Sequence, residues 1–299
     1  MEKPRPPRAV SWIGAALDLP AALEDQAVAA FWESGCLGIQ MRAASRRIGH
    51  PRIVLEAWFP GRSSQEPLRR RLQRALIAAA VPPTCRPRLR CMADGHWVES
   101  WQKTLRPMRI GRRILVVPES CATKRSGERI AIQIPFGQAF GTGEHASTRM
   151  ALRLLEDHLR AGDQVVDLGT GTGILAVAAH RLGATRVLAV DSDPIAVGVA
   201  RDTLHRNAIE SGVLVQRDDA AAACGKGPFD LALVNIGSAV IGRILPDLAR
   251  ALRPGGRAIL SGILIEDEPA LVAAGLPLGL TAAARLRTRP WSALLLSRR

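Results

Sequence analysis

The chain has 299 residues, with 41 Lys and Arg against 27 Asp and Glu, a net charge of +14 and 47% hydrophobic residues. That length suits two domains, and the composition is that of a globular protein rather than a disordered one. No apolar run reaches the roughly 18–20 residues of a membrane span, and the basic start MEKPRPPRAV is followed by no apolar stretch of the kind a secretion signal carries.

Five cysteines (Cys36, Cys85, Cys91, Cys121 and Cys224) are odd in number and lack paired C-x-x-C spacing. This argues against a disulfide framework and against a zinc site, and it points to a reducing, cytoplasmic setting. Residues 1–125 carry 22 Lys and Arg against 10 Asp and Glu, a net of +12, whereas 126–299 carry 19 against 17, a net of +2. A basic N-terminal half implies a partner bearing acidic groups or phosphates, the plainer alternative being a basic surface that only confers solubility.

In chain order, 9–19 reads as a strand and 20–34 as a helix stopped by Gly35. The segments 38–42 and 53–59 read as strands, 65–80 as a helix closed by Pro82-Pro83, and 86–92 as a fourth strand. The order β-α-β-β-α-β predicts a ferredoxin-like α+β domain over 1–92. Residues 93–130 read as a connector with one strand at 114–118. Trp97 and Trp101 within it lie four apart and share one face of a helical turn, where they anchor the connector.

From about 131 to 299, strands at 164–168, 187–190, 213–216, 231–235 and 258–264 alternate with helices at about 172–182, 194–210 and 238–252. The last helix is broken by Arg253-Pro-Gly-Gly256, and 281–288 with 292–297 read as a terminal antiparallel pair. Alternation of this kind predicts an α/β domain with a doubly wound, mainly parallel sheet.

Val165-Val-Asp-Leu-Gly-Thr-Gly-Thr-Gly173 ends a strand and opens a helix, so its glycines allow a tight turn and a close approach by a ligand. The dinucleotide fingerprint G-x-G-x-x-G fails from Gly169, where Ile174 holds the last position. It fits from Gly171 only in the looser form ending in Ala176. Asp167 decides better than the count does. A carboxylate there suits the ammonium or ribose of a cationic cofactor such as S-adenosylmethionine (SAM) and repels a pyrophosphate. Asp191, about 20 residues beyond the turn, can accept from ribose hydroxyls. Ser192 or Asp193, before Pro194, could cap the next helix separately. Asp218 or Asp219 can meet an adenine edge, and the sequence does not choose between them. Asn235, at the end of the fourth strand, offers an amide carbonyl that can orient an attacking amine, whose desolvation lowers its pKa.

Phe140-Gly-Thr-Gly-Glu-His-Ala-Ser-Thr-Arg149 resembles the A-F-G-T-G-x-H-x-T-T loop of the ribosomal protein L11 methyltransferases (the PrmA type). The likeness continues through 167–175, Val190-Asp-Ser-Asp-Pro194, Asn235-Ile236 and 252–262, and upstream through 31–38 and 97–111. It therefore spans nearly the whole chain.

The resemblance implies a class I SAM-methyltransferase (Rossmann-like) seven-stranded sheet, with a smaller ferredoxin-like domain that docks a protein substrate. It also implies methylation of lysine ε-amines and an N-terminal α-amine on a large-subunit ribosomal protein, free or near the ribosome. Thr148, Gly169, Asp191 and Asn235 match the family's SAM-contacting positions. Thr142 and His145 share the clasping loop, and Asp167, Gly171 and Gly173 complete the turn. Asn235, Thr148 and His145 are the residues it implies at the reacting end, His145 equally fitting a structural loop histidine. Gly237-Ser238 stands where the family usually has Leu-Ala.

Two other readings compete. One keeps the chemistry but gives it another protein, RNA or a small amine as acceptor. In the other the chain is a SAM-binding assembly protein without turnover.

Overall fold

A computed structural model describes residues 11–36, 38–43, 52–61, 65–92, 106–121, 127–135, 143 and 145–299. The chain divides into two compact units, Met1–Thr104 and Leu105–Arg299. The division falls inside the segment read from sequence as a connector, so its part from 105 onward belongs to the larger unit. Trp97 and Trp101 lie outside the described residues.

The division also redistributes the charge. Residues 1–104 carry 16 Lys and Arg against 9 Asp and Glu, a net of +7, and 105–299 carry 25 against 18, also +7. The excess that the sequence placed in an N-terminal half is therefore shared between the two units.

In the smaller unit β1 (Ser11–Pro20), α1 (Glu24–Glu33), β2 (Gly38–Ala43), β3 (Arg52–Gly61), α2 (Glu66–Ala78) and β4 (Arg88–Met92) follow in order. The sheet runs β2-β3-β1-β4 with antiparallel neighbours, which is the ferredoxin-like arrangement. Alternation on β1 buries Ile13, Ala15, Leu17 and Leu19 on one face, where Leu68, Leu72 and Leu76 of α2 join them at four-residue spacing. Gly35, at φ +78°, ends α1, and the amide of Cys36 returns to the carbonyl of Phe31 at 3.2 Å.

The larger unit starts with β5 (Met108–Ile110), β6 (Ile114–Pro118) and β7 (Ile130–Ile134), a three-stranded sheet. Then come α3 (Ala146–His158), β8 (Gln164–Leu168), α4 (Ile174–Leu182), β9 (Arg186–Asp191), α5 (Pro194–Arg206), β10 (Val213–Arg217), α6 (Ala220–Cys224), β11 (Phe229–Asn235), α7 (Ser238–Ala251), β12 (Leu252–Leu264), α8 (Glu268–Gly275), β13 (Leu280–Thr288) and β14 (Trp291–Arg298).

Seven strands form one sheet in the order β10-β9-β8-β11-β12-β14-β13, in which only β14 runs against its neighbours. Strands buried on both faces read as continuous Val/Leu/Ile/Ala runs, as in Leu231–Val234. One face packs under α3, α4, α5 and the small sheet, the other under α6, α7 and α8. Strand order reverses between β8 and β11, so a crevice for a ligand opens where those strands end.

Several elements were not read from the sequence: α3, α6, α8, β5 and β7. The helix expected to run to 210 stops at Arg206, where Asn207 caps it and Ala208 takes a φ of +50°.

Candidate active site

The cofactor turn is built from β8 and pinned to β9. Gly169, Gly171 and Gly173 all have positive φ, +73°, +54° and +80°. The amides of Gly169 and Thr170 both donate to the carbonyl of Val190 at 2.9 Å, and the amide of Gly171 donates to Asp191 Oδ2 at 2.9 Å. Asp191 Oδ1 accepts from the amide of Asp193 at 3.0 Å, and Asp193 caps α5 through the amide of Ile195. Asp191 thus keeps acceptor capacity on a half-buried carboxylate that its own turn holds in place.

Gly169 requires glycine twice over. Its φ is left-handed, and a Cβ there would lie 2.5 Å from Cγ2 of Ile236. Ile236 also abuts Gly262, where a Cβ would lie 2.8 Å from its carbonyl oxygen. One side chain therefore wedges the cofactor turn against the segment carrying Asn235. No sequence signal marks this role.

Asp167 is fully buried beneath the turn. Thr170 Oγ1 donates to its Oδ2 at 2.6 Å, while Oδ1 has no hydrogen-bond partner. Burial pushes its pKa up to about 7, the hydrogen bond from Thr170 opposes the shift, and the charge of Asp191 adds to it. Thr170 went unnoticed in the sequence, although a hydroxyl three residues after a buried acid is a readable cue.

Asn235 ends β11 beside Ser261 of β12. Its amide nitrogen lies 3.3 Å from Oγ1 of Thr148, which is fully buried in the first turn of α3, and its Oδ1 is buried without a partner. Ser261 Oγ donates to the carbonyl of Ser147 at 2.9 Å and ties the same turn of α3 to β12. Thr148, Asn235, Gly169 and Asp191 are thus joined through contacts at one end of the sheet.

His145 stands at the start of α3, where one of the two roles left open for it can be described. Its Nδ1 caps α3, accepting from the amide of Ser147 at 3.2 Å and lying 2.6 Å from Ser147 Oγ. Its ring meets Trp291 edge to face, with centroids 4.8 Å apart. This geometry supports a capping and packing role. Thr142 lies outside the described residues. Of the two candidates for an adenine edge, Asp219 caps α6 through the amide of Ala221. Asp218 binds Lys226 Nζ at 2.5 Å, which holds its carboxyl below the usual range. The amide of Asp218 donates to the carbonyl of Asp191 at 3.1 Å, so their loop borders the site.

Gly237 precedes α7 without a side-chain cap, and Ser238 Oγ donates to Asp267 Oδ2 at 2.6 Å. The segment after Asn235 is thereby fastened to the turn that follows β12. The site as a whole presents acceptors: Asp167 Oδ1, the Asp191 carboxylate and Asn235 Oδ1. It suits a cationic ligand rich in hydroxyls. Among the described residues no group of three or more His, Cys, Asp or Glu is arranged to hold a metal ion, and no helix is long and apolar enough to cross a membrane.

A sheet in this order, with a glycine turn after β8 and a carboxylate ending β9, defines a class I methyltransferase. The model of the family described as ribosomal protein L11 methyltransferase (PrmA) matches residues 12–299, and the chain belongs to that family. A relative of that name from Symbiobacterium thermophilum is 40% identical over 74% of this chain and 73% of its own. Another, from Pelotomaculum thermopropionicum, is 38% identical over 82% of this chain and 79% of its own. A solved ribosomal protein L11 methylase from Lactobacillus delbrueckii subsp. bulgaricus aligns with a TM-score of 0.61 at 30% identity, covering 65% of this chain and all of that one.

Proposed function

We propose that the chain transfers methyl groups from SAM to amino groups of ribosomal protein L11, namely lysine ε-amines and the N-terminal α-amine, in the cytoplasm. The observation that carries this reading is the pair of buried acceptors without partners, Asp167 Oδ1 and Asn235 Oδ1, on either side of the glycine turn. SAM supplies an electrophilic methyl on a sulfonium, together with an ammonium and ribose hydroxyls as donors. Asp167 would face the ammonium side, Asp191 the ribose hydroxyls, and Gly169, Gly171 and Gly173 would let the backbone approach closely. Thr148 receives the amide hydrogen of Asn235 and so fixes the amide, whose buried carbonyl would accept from the incoming amine and align the nitrogen lone pair with the methyl. No strong base is needed, because removal from water lowers the pKa of the amine.

Asn235→Ala should slow transfer about a hundredfold while SAM still binds, because it removes a group that positions the amine. The purified protein and labelled SAM, added to lysate from a strain lacking this protein, should mark one small ribosomal protein. Labelling of RNA or of small amines instead would overturn the assignment. Equal rates in parent and Asn235→Ala would overturn the role of Asn235. SAM affinity should also depend on pH. With the Asp167 pKa near 7, only about a tenth of that carboxyl is ionised at pH 6, so SAM should bind about tenfold more weakly there than at pH 8. Calorimetry at the two pH values measures this directly.

A further inference from the structure

Five arginines of the larger unit form a strip that the proposed reaction does not use. Arg149 and Arg153 are exposed on α3, at positions i and i+4, and Glu156 follows at i+7 on the same face. The Glu156 carboxylate is not available to them. It accepts from the amides of Arg112 at 2.8 Å and Arg113 at 2.9 Å, which fastens the β5–β6 turn onto the end of α3. Arg112 and Arg113 are both exposed, and Arg109 is exposed on β5, which the same turn ends. None of the five guanidinium groups has an ion pair or side-chain hydrogen bond among the described residues. By contrast, Arg206, Arg250, Arg253, Arg257, Arg285 and Arg287 of the same unit all meet carboxylates. Asp157, also exposed, follows Arg153 at i+4, about 40° around the helix, and the two make no ion pair among the described residues.

We propose that this strip, Arg149–Arg153 on α3 and Arg109, Arg112 and Arg113 on the adjoining hairpin, is a docking surface for the phosphate backbone of RNA. Arg149 directly follows Thr148, so the strip starts at the edge of the site and leads away from it. The rise along α3 between Arg149 and Arg153 is about 6 Å, and regularly spaced planar forks suit a chain of regularly spaced monoanions. A basic protein segment would be repelled here, so the strip does not fit the methyl acceptor itself. It fits a polyanion that accompanies the acceptor, and the contact does not depend on which protein is methylated.

The test uses the full chain and labelled double-stranded RNA, with binding followed against salt. The variant Arg112→Gln/Arg113→Gln/Arg153→Gln should bind at least about tenfold more weakly, and its log–log salt slope should fall by about 2–3. The anchoring contacts to Glu156 come from backbone amides and survive the change. Methylation of the isolated protein substrate should stay at the parent rate, which also reports folding. A control with equal loss of charge in the smaller unit, Arg71→Gln/Arg88→Gln/Arg90→Gln, should bind RNA like the parent. Equal weakening in the control would reduce the effect to bulk charge and overturn the proposal. Tighter binding of poly-glutamate than of RNA, lost in the strip variant, would reassign the surface to an acidic protein. Should the triple variant fail to fold, Arg153→Gln alone must still lower the slope by about 0.9, and an unchanged slope would sink the idea.

Discussion

At the rear end of the large sheet, where β8 and β12 begin, Asp163 lies buried against Arg257, 2.7 Å from a guanidinium nitrogen, and also accepts from the amide of Arg160 at 2.9 Å. Arg257 reaches the carbonyl of His158 as well. Nearby, Asp230 binds Arg253 at 2.9 Å and the amide of Gln164 at 2.8 Å. At the front end, four residues further along the chain, Asp167 is buried with one oxygen that makes no hydrogen bond, although the amide of Ala176 lies toward the carboxyl, and Asn235 Oδ1 on β11 also makes none. One strand and the residue before it therefore carry two buried carboxylates put to opposite uses. The rear one closes the fold with a cation of its own, whereas the front one leaves its bonding capacity to a ligand. A buried polar group without a partner costs about 1–3 kcal/mol, a cost that a ligand donating to the two front-end oxygens would offset.

The largest expected effect tests the rear end. Arg257→Ala leaves Asp163 buried without its cation and should cost about 3–5 kcal/mol of stability, read by urea unfolding. Replacing both partners with apolar residues of similar volume should cost far less. If the single change were as mild as the double, the rear pair would not be the closed system described.

The front end should respond in the opposite sense. The proton that burial places on Asp167 favours the fold. Its contribution is fully present below the unfolded pKa near 3.8 and is lost as pH rises through about 7. Asp167→Asn removes this dependence, so the variant should be more stable than the parent by about 2–4 kcal/mol at pH 8, the advantage shrinking as pH falls toward 4. It should bind SAM poorly throughout. Thermal unfolding at several pH values checks the first half of this and calorimetry the second. A variant destabilised at pH 8 would mean that Asp167 serves the fold as Asp163 does.

The contrast between the ends was half legible in the sequence. The strand end, the glycines and Asp167 stand in one short motif, Asp191 ends the next strand, and the spacing of Asn235 follows from strand alternation. The glycine turn therefore appeared where the residues placed it. The rear partners were not legible, because Asp163 and Arg257 are 94 residues apart and meet only when β8 and β12 enter the same sheet. The same holds for Ser261 and Ser147. Helix α3 was hidden for a local reason. Its cap is His145 rather than Ser or Asp, and its buried face, with Met150, Ala151, Leu152, Leu154 and Leu155, is too broad to show a clean helical stripe. Strand β6 reads as a strand within the connector, whereas β5, three residues long, is too short to show alternation. Ile110, Ile114 and Val116 join a core that β7 and the later helices complete.

The smallest effect concerns how firmly the front end is held. Ser238 and Asp267 contribute a single hydrogen bond, and Ser238→Ala should cost about 1 kcal/mol. Its position makes it informative beyond that figure. Ser238 opens α7 three residues after Asn235, and Ile236 between them is wedged between Gly169 and Gly262. Loosening the start of α7 should therefore reach the amine-orienting carbonyl before it reaches the cofactor turn, which β9 pins independently through Val190 and Asp191. The expected result is a several-fold fall in kcat with SAM affinity unchanged. Asp267→Asn, which keeps an acceptor for the hydroxyl, should be milder, and Ser238→Ala combined with Asp267→Ala should be no worse than either alone. Additive losses would show that the two residues act separately and that the front end is held by the glycine contacts alone.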